Sequence, residues 1–158
     1  MTTETTTVKT PWLPPRWFIH FAWRFHRAYF RLTGGRRGLW LPKPGKWGTM
    51  RVTTVGRKSG KSRSVILGYY EDGSNLVTLA MNGWGKPEPA WWLNVQANPD
   101  VNVELKTGSR PVHVRAAEGD ERSRLWALWQ EHDKNLESYA SRRAETAVVV
   151  LEPRQTGA

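Results

Sequence analysis

The segment 64–81 constrains the fold most, because two runs of β-forming residues flank a tight turn in it. SVILGYY (64–70) and NLVTLAM (75–81) are rich in β-branched and aromatic residues. The Asp-Gly pair at Asp72 and Gly73 between them is a strong signal for a two-strand hairpin. A chain with such a hairpin is expected to fold around an antiparallel sheet.

Four further strands and four helices are predicted from the remaining pattern. The strands are GTMRVTTV (48–55), VNVELK (101–106), RPVHVRAA (110–117) and TAVVVLE (146–152), and the helices cover 16–32, 89–99, 119–132 and 135–143. Six short strands joined mainly by hairpins, with helices between them, predict an α+β fold, mainly antiparallel β: a barrel with peripheral helices. A length of 158 residues fits one domain. We place it at 15–153, with tails at 1–14 and 154–158.

The predicted helix 16–32 is amphipathic. Apolar residues recur every three or four positions, at Phe18, Phe21, Ala22, Phe25, Tyr29 and Leu32. Basic residues mark the opposite face, at Arg16, His20, Arg24, Arg27 and Arg31. Two interpretations stay open: the apolar stripe packs on the barrel, or the helix lies on an anionic bilayer with its aromatic side chains buried there.

The positive charge is concentrated in the N-terminal half. Fourteen of the 24 lysines and arginines lie between Thr5 and Tyr70, a segment without aspartate or glutamate. This concentration of positive charge favours an anionic partner: a nucleic acid, an acidic membrane surface or a small polyanion. We disfavour nucleic acid, because the cations cluster on a loop suited to one small anion.

That loop is GRKSGKSRS (56–64), and it is not a nucleotide-hydrolysing P-loop. Gly56 and Gly60 are one residue too close together for that motif, and the stretch leads into a strand rather than a helix. No aspartate or glutamate lies between Glu4 and Glu71 to hold magnesium. Its glycines, hydroxyls and cations can still bind a phosphate or carboxylate. The alternative is a solvated run of charge on a turn.

The sequence offers no catalytic set of its own. It lacks cysteine, its four histidines show no metal-ligand spacing, and it has no G-x-S-x-G motif, so no metal site is expected. If the protein is an enzyme, a cofactor supplies the reactivity, and the chain supplies binding and orientation.

Three segments together resemble the deazaflavin-dependent nitroreductase family. They are TTVGRKSGKSRS (53–64), GYYEDGSNLVTLAMNGW (68–84) and PAWWLNVQANPDVNVEL (89–105). That family consists of actinobacterial split β-barrels, of the FMN-binding split-barrel type, that bind coenzyme F420, an 8-hydroxy-5-deazaflavin. The resemblance extends over about 15–153 and implies hydride transfer from the reduced coenzyme to an electron-poor acceptor: a quinone, an activated alkene or a nitro compound.

The resemblance also implies a coenzyme site. The phosphodiester and polyglutamate tail of the coenzyme would contact Arg57, Lys58, Ser59 and Arg63. Its ring system would lie along Ser64, Val65, Ile66, Leu67 and Gly68. The other side of the site would be formed by Leu79, Ala80, Met81, Asn82, Ala90, Trp91, Trp92, Leu93 and Asn94.

For the proton that must reach the product, the resemblance implies Tyr139, with His132 and Tyr69 as further candidates. Two departures from the nitroreductase argue against nitroimidazole reduction. The nitroreductase has a tyrosine where Gly68 stands and a Ser-Lys pair where Met81 and Asn82 stand. Family members with a basic aromatic N-terminal helix often work near the membrane, which predicts a cytoplasmic enzyme associated with the inner membrane face.

Two other functions stay open within this fold. One is a split-barrel protein that binds FMN or haem, and the other is a non-catalytic carrier of fatty acid or lipid that uses the tryptophan-rich pocket and the basic helix. The absorbance of the purified protein separates the first, and co-purified lipid without reductase activity identifies the second. The sequence carries no signal for an oligomeric state.

Overall fold

The computed structural model describes Trp12 and residues 14–32, 38–82, 85–143 and 145–155. The predicted tail 1–14 lies outside the described residues except at Trp12 and Pro14, and the tail 154–158 is described only at Arg154 and Gln155. The elements, in chain order, are α1 (Arg16–Leu32), β1 (Gly48–Val55), β2 (Ser62–Asp72), β3 (Asn75–Leu79), α2 (Ala90–Ala97), β4 (Asp100–Leu105), β5 (Gly108–Ala116), α3 (Gly119–His132), α4 (Leu136–Ala140) and β6 (Val148–Pro153).

The six strands form a closed antiparallel barrel in the order β1-β2-β3-β6-β5-β4. The longest pairing joins β1 to β2, from Gly48 opposite Tyr69 to Val55 opposite Ser62. The barrel closes where Arg51 to Thr53 of β1 pair with β4. The predicted fold class is therefore confirmed.

The barrel interior is filled by alternate residues of the strands. Met50 and Val52 of β1 meet Leu67 and Tyr69 of β2 in one hydrophobic core. Helix α2 adds Trp91, Trp92 and Val95 to this core. Part of the tryptophan content therefore stabilises the barrel through buried apolar area.

A second core lies outside the barrel, beneath α3. Leu125 and Trp129 of this helix pack against Tyr70, Val77, Leu79, Val148 and Val150. Because α3 covers the outer face of β3 and β6, both faces of these strands are buried. This explains why successive residues of NLVTL and VVVL are buried, rather than every second one.

Every strand after β1 differs from its predicted bounds by one or two residues at one or both ends, and two of these differences have a clear cause. β2 begins at Ser62 rather than Ser64, because its pairing with β1 continues up to the connecting loop. β3 ends at Leu79 rather than Met81, because the main-chain N–H of Met81 donates to the carbonyl of Leu79 at 2.9 Å and the chain turns away from the sheet. The hairpin turn at Asp72 and Gly73 is confirmed, and Gly73 has the positive φ of 61° that such a turn favours.

Helix α1 is present with its predicted bounds, and the described aromatic side chains of its apolar stripe stay largely exposed. Phe18, Phe21 and Phe25 are 47%, 62% and 68% exposed. The side chains that α1 turns toward the barrel surface include His20 and Trp23. Within the described ranges, no helix combines the length and apolar character needed to cross a membrane.

Candidate functional site

The loop between β1 and β2 is a compact turn that presents its cations outward. The Gly56 N–H donates to the carbonyl of Lys61 and the Gly60 N–H to the carbonyl of Gly56, both at 2.8 Å. Gly60 has a φ of +66°, and a β-carbon on Gly56 would come within 2.7 Å of the Ser59 hydroxyl. The glycines therefore permit this turn, while Lys58 is exposed.

Asn94 ties this loop to α2. Its side-chain oxygen accepts from both the main-chain N–H and the guanidinium of Arg57, each at 3.2 Å. Its side-chain nitrogen donates to the Thr54 hydroxyl at 3.4 Å. Asn94 is 6% exposed, so its amide holds the basic loop in place against the helix.

A cleft of about 520 Å³, here called the basic cleft, opens beside this loop. Its walls are formed by the β1–β2 loop, the start of β2, the chain after β3, the start of α2, and α1. Its lining residues are His20, Trp23, Thr54, Gly56, Arg57, Lys58, Ser59, Arg63, Ser64, Val65, Met81, Asn82, Pro89, Ala90, Trp91 and Asn94. None of the ion pairs among the described residues involves Lys58 or Arg63.

A second cleft of about 530 Å³, the apolar cleft, adjoins the first between α1 and β2. Its lining residues are Ala22, Trp23, Phe25, Tyr29, Thr49, Ser64, Val65, Ile66, Leu67 and Gly68. Trp23, Ser64 and Val65 line both clefts.

The structure brings most of the predicted coenzyme residues together. The basic cleft includes Arg57, Lys58, Ser59, Arg63, Ser64, Val65, Met81, Asn82, Ala90, Trp91 and Asn94, and the apolar cleft includes Ile66, Leu67 and Gly68. Leu79, Ala80 and Trp92 are instead buried in the hydrophobic cores. Leu93 is half-buried and belongs to neither lining.

The predicted proton donors line neither cleft. The His132 ring stacks on Tyr70 with a centroid distance of 4.0 Å, and the Tyr139 ring lies beneath the Arg142 guanidinium at 5.7 Å. Tyr69 is fully buried inside the barrel, and burial raises the pKa of its hydroxyl. The imidazole that does line the basic cleft is that of His20 on α1.

Sequence reasoning missed His20 and Trp23 because both lie outside the apolar stripe of α1, of which Ala22, Phe25 and Tyr29 line the apolar cleft. It also missed Arg143, whose side chain is 1% exposed. The Arg143 guanidinium donates to the Ala80 carbonyl at 2.6 Å and to the Glu88 carboxylate at 2.8 Å. It therefore joins the end of β3 to the loop before α2, next to two walls of the basic cleft. No local motif marks such a residue.

The donor set of the basic cleft fits the anionic coenzyme that the resemblance implies. A phosphodiester and a chain of carboxylates need cations and hydroxyl donors, and Lys58 and Arg63 supply the cations along one wall. The Ser59 hydroxyl oxygen accepts from the Lys61 N–H at 3.3 Å, and its own O–H can donate to the ligand. The volume lies within the usual range of small-molecule sites, about 300–1,000 Å³. In the part of the chain that the structure describes, no group of three histidine, aspartate or glutamate side chains could hold a metal ion.

Comparison with known proteins identifies the family of this chain. The family model of the F420H(2)-dependent quinone reductases matches residues 22–153. An F420H(2)-dependent quinone reductase of Mycobacterium tuberculosis is 31% identical over 137 residues, which cover 84% of this chain and 89% of that protein.

Solved structures show the same similarity. An F420-H2-dependent reductase, FDR-A, is 32% identical with a TM-score of 0.60, over 66% of this chain and 93% of that one. A structure described as a domain-swapped dimer is 29% identical with a TM-score of 0.62, over 84% and 99%. The haem storage protein HutZ of Vibrio cholerae, 14% identical over 68% of this chain and 82% of its own with a TM-score of 0.51, shares the fold alone.

The resemblance in sequence is thus confirmed, and the match lies with the quinone reductases. The chain belongs to the F420H(2)-dependent quinone reductase family and is an oxidoreductase that uses coenzyme F420.

Proposed function

We propose that this chain reduces a hydrophobic quinone to the quinol with F420H2 as the reductant. When bound, the coenzyme supplies a hydride, and the quinone becomes a quinol by taking up that hydride and one proton. The observation that carries the proposal is a pair of cations, Lys58 and Arg63, that line the basic cleft and make no ion pair among the described residues.

In this proposal, Lys58 and Arg63 bind the phosphate and carboxylates of the coenzyme. The Ser59 hydroxyl adds a short-range donor on the same wall. Asn94 keeps the loop in position through Arg57, so the site is formed before the ligand arrives. Such preorganisation reduces the ordering cost of binding.

The apolar walls of the basic cleft orient the reacting rings. Val65 and Met81 lie on two sides, and Trp91 contributes the aromatic surface of α2. Trp23 of α1 adds a further aromatic wall. Walls of this kind hold two flat rings near contact distance and exclude water, which supplies much of the rate of hydride transfer.

The proton donors that the resemblance implies, Tyr139 with His132 and Tyr69 as further candidates, stay predictions. The lining of the basic cleft supports His20 as an additional candidate, because its imidazole lies on the wall that α1 contributes. An imidazole can donate a proton at neutral pH, which the quinol product requires.

We also propose that α1 rests on the anionic inner face of the cytoplasmic membrane, where hydrophobic quinones dissolve. Among the described residues, every exposed large hydrophobic side chain lies at or before Val55. That part of the chain carries no acid between Glu4 and Glu71. Exposed aromatic side chains on an acid-free surface suit an anionic bilayer.

The test of the function is the oxidation of F420H2 by the purified chain, followed by absorbance with a quinone, an activated alkene and a nitroimidazole as separate acceptors. We expect turnover with the quinone, and little with the nitroimidazole because Gly68 replaces the nitroreductase tyrosine. Absence of turnover with every quinone, by a protein that binds the coenzyme, would contradict the proposal. An FMN or haem spectrum in the purified protein would point to the alternative cofactors.

A further inference from the structure

A buried arginine lies behind the basic cleft and joins two stretches of chain that form part of its walls. The Arg143 side chain is 1% exposed. One of its terminal nitrogens donates to the Ala80 carbonyl at 2.6 Å, and the other donates to the Glu88 carboxylate at 2.8 Å. Met81 follows Ala80, Pro89 follows Glu88, and both line the basic cleft. Neither Arg143 nor Glu88 is among the residues that line it, so direct contacts with a ligand there are made by their neighbours.

Arg143 fixes the direction in which the chain leaves β3. The Ala80 N–H donates to the Ala147 carbonyl at 2.9 Å, and the Ala80 carbonyl accepts from Arg143. Both main-chain polar groups of Ala80 are therefore held by the segment that leads into β6. At the next residue, the Met81 N–H donates to the Leu79 carbonyl and the chain turns. The place of Met81 on the cleft wall thus depends on how Arg143 orients the preceding peptide group.

Glu88 fixes the approach of the chain to α2. It precedes Pro89, the residue before the first helical position, Ala90. Pro89 is buried and lines the basic cleft together with Ala90. One turn further along the helix, Asn94 holds the basic loop through Arg57. A displacement at Glu88 would therefore move the wall that α2 contributes and, through α2, the loop that carries the cations.

A buried arginine is a poor device for filling space. Removing a guanidinium from water is unfavourable, and an ion pair offsets this only in part, whereas an apolar side chain of similar size avoids the problem. The Nε atom of Arg143 is buried and has no hydrogen-bond partner among the described residues. What the planar fork adds is direction, because its two terminal nitrogens hold a carbonyl and a carboxylate at a fixed separation. The arrangement therefore suits a residue that sets geometry.

We propose that Arg143 and Glu88 form a positioning pair for the coenzyme site. The pair holds Met81 and Pro89, on two walls of the basic cleft, at the separation that coenzyme binding requires. This inference rests on the proposed function, which places the anionic coenzyme in that cleft. Supporting contacts of this kind keep a binding site in its productive geometry without touching the ligand.

The sign of one change separates positioning from simple electrostatics. Glu88 is an acid near a site for an anion, so charge alone predicts that Glu88→Gln strengthens coenzyme binding. Loss of positioning predicts the opposite, because the wall that Glu88 holds is released. A contact that served folding alone would leave the affinity of the folded protein unchanged.

The experiment measures the Kd of oxidised coenzyme F420, by tryptophan fluorescence, for the wild type, Glu88→Gln, Arg143→Lys and the double variant. Arg143→Lys keeps the charge but replaces the fork by a single ammonium group. We expect each single change to raise the Kd about tenfold. The double variant should raise it no further, because both changes break the same link.

The control is Glu152→Gln, the same change at another carboxylate that is paired with an arginine. Glu152 accepts from Arg115 at 2.7 Å, its side chain is 38% exposed against 42% for Glu88, and it lies outside both linings. The Kd should stay at the wild-type value in this variant. Urea denaturation of each variant shows that the folded protein is being titrated.

An unchanged or lowered Kd in Glu88→Gln would overturn the proposal. So would an equal rise in Glu152→Gln, or a double variant whose loss is the product of the two single losses. If Arg143→Lys does not fold, Glu88→Gln with its control still decides the question. Failure of the proposed function is separate, since it appears in the wild-type chain as no binding of the coenzyme or no oxidation of F420H2 with any quinone.

Discussion

The cations of the two halves of this molecule differ in what they contact. In the C-terminal half, arginines are committed to carboxylates: Arg124 to Asp72, Arg115 to Glu121 and Glu152, and Arg143 to Glu88. Around the basic cleft, Lys58 and Arg63 belong to none of the ion pairs among the described residues. A cation with an internal partner contributes to folding, whereas an exposed cation without one is available to a ligand. The comparison therefore predicts that paired cations affect stability and that cleft cations affect binding.

Replacing Arg143 should have the largest effect on stability. The change Arg143→Ala leaves the Ala80 carbonyl without its donor and removes a fully buried side chain. We expect a loss of about 3 kcal/mol in the free energy of unfolding, measured by urea denaturation. Glu88→Gln, at a half-exposed partner, is the control and should cost far less. An unchanged unfolding midpoint in Arg143→Ala would contradict the prediction that the paired cations stabilise the fold.

The proton donor should have the next largest effect. If His20 donates the proton, His20→Gln lowers kcat for quinone reduction about a hundredfold and leaves the Kd of the coenzyme unchanged. Tyr139→Phe is the parallel variant, at a residue outside both linings. A large loss in Tyr139→Phe with none in His20→Gln would restore the donor that the family resemblance implies.

Membrane binding tests the exposed aromatic surface of the N-terminal half. Phe18 and Phe21 are exposed and line neither cleft. The double change Phe18→Ser and Phe21→Ser should therefore reduce sedimentation with anionic vesicles at least about tenfold and leave quinone binding in detergent unchanged. Neutral vesicles should bind the wild-type chain weakly. Equal sedimentation of the variant and the wild type would show that α1 does not carry the interaction.

The smallest expected effect is a loss of stability at acid pH, caused by protonation of carboxylates that are paired with arginine. The hydrogen bond from Arg124 lowers the pKa of Asp72, and the hydrogen bond from Arg115 lowers the pKa of Glu121. A carboxyl with a lowered folded pKa stabilises the fold above its ordinary value of about 4, and that contribution is lost as the pH falls. We expect the urea midpoint to decrease between pH 5 and pH 3. The double variant Asp72→Asn and Glu121→Gln should lose less stability over that interval than the wild type. The difference should be below about 1 kcal/mol for each carboxylate, because both are partly exposed.

The barrel was predictable from the sequence, because its hairpins are local. Asp72 and Gly73 mark one turn, and β-branched runs mark the strands that flank it. The closure of β1 on β4 was not readable from local pattern, since it joins Arg51 to Glu104 across 53 positions of sequence. The six-strand pattern predicted a barrel but not which two strands close it.

The candidate site was predictable where the chain itself carries a motif. The Gly-rich basic loop and the PAWWLN helix both reach the basic cleft. Both Trp91 and Trp92 belong to the barrel core, but only Trp91 also lines the cleft, and the sequence does not distinguish two adjacent indoles. His20 and Trp23 were missed for a related reason: amphipathicity predicts two faces of a helix but does not say which face meets the barrel.

The central claim is that Lys58 of the β1–β2 loop and Arg63 at the start of β2 bind the anionic coenzyme. Its most direct test is a titration with oxidised coenzyme F420, followed by tryptophan fluorescence, for the wild type, Lys58→Ala, Arg63→Ala and the control Lys61→Ala. Lys61 is exposed on the same loop and lies outside the lining of the cleft. We predict that Lys58→Ala and Arg63→Ala each weaken binding by about 1.5–3 kcal/mol, that Lys61→Ala changes it little, and that all four proteins unfold at the same urea concentration. Unchanged affinity in both cleft variants, or an equal loss in Lys61→Ala, would contradict the claim.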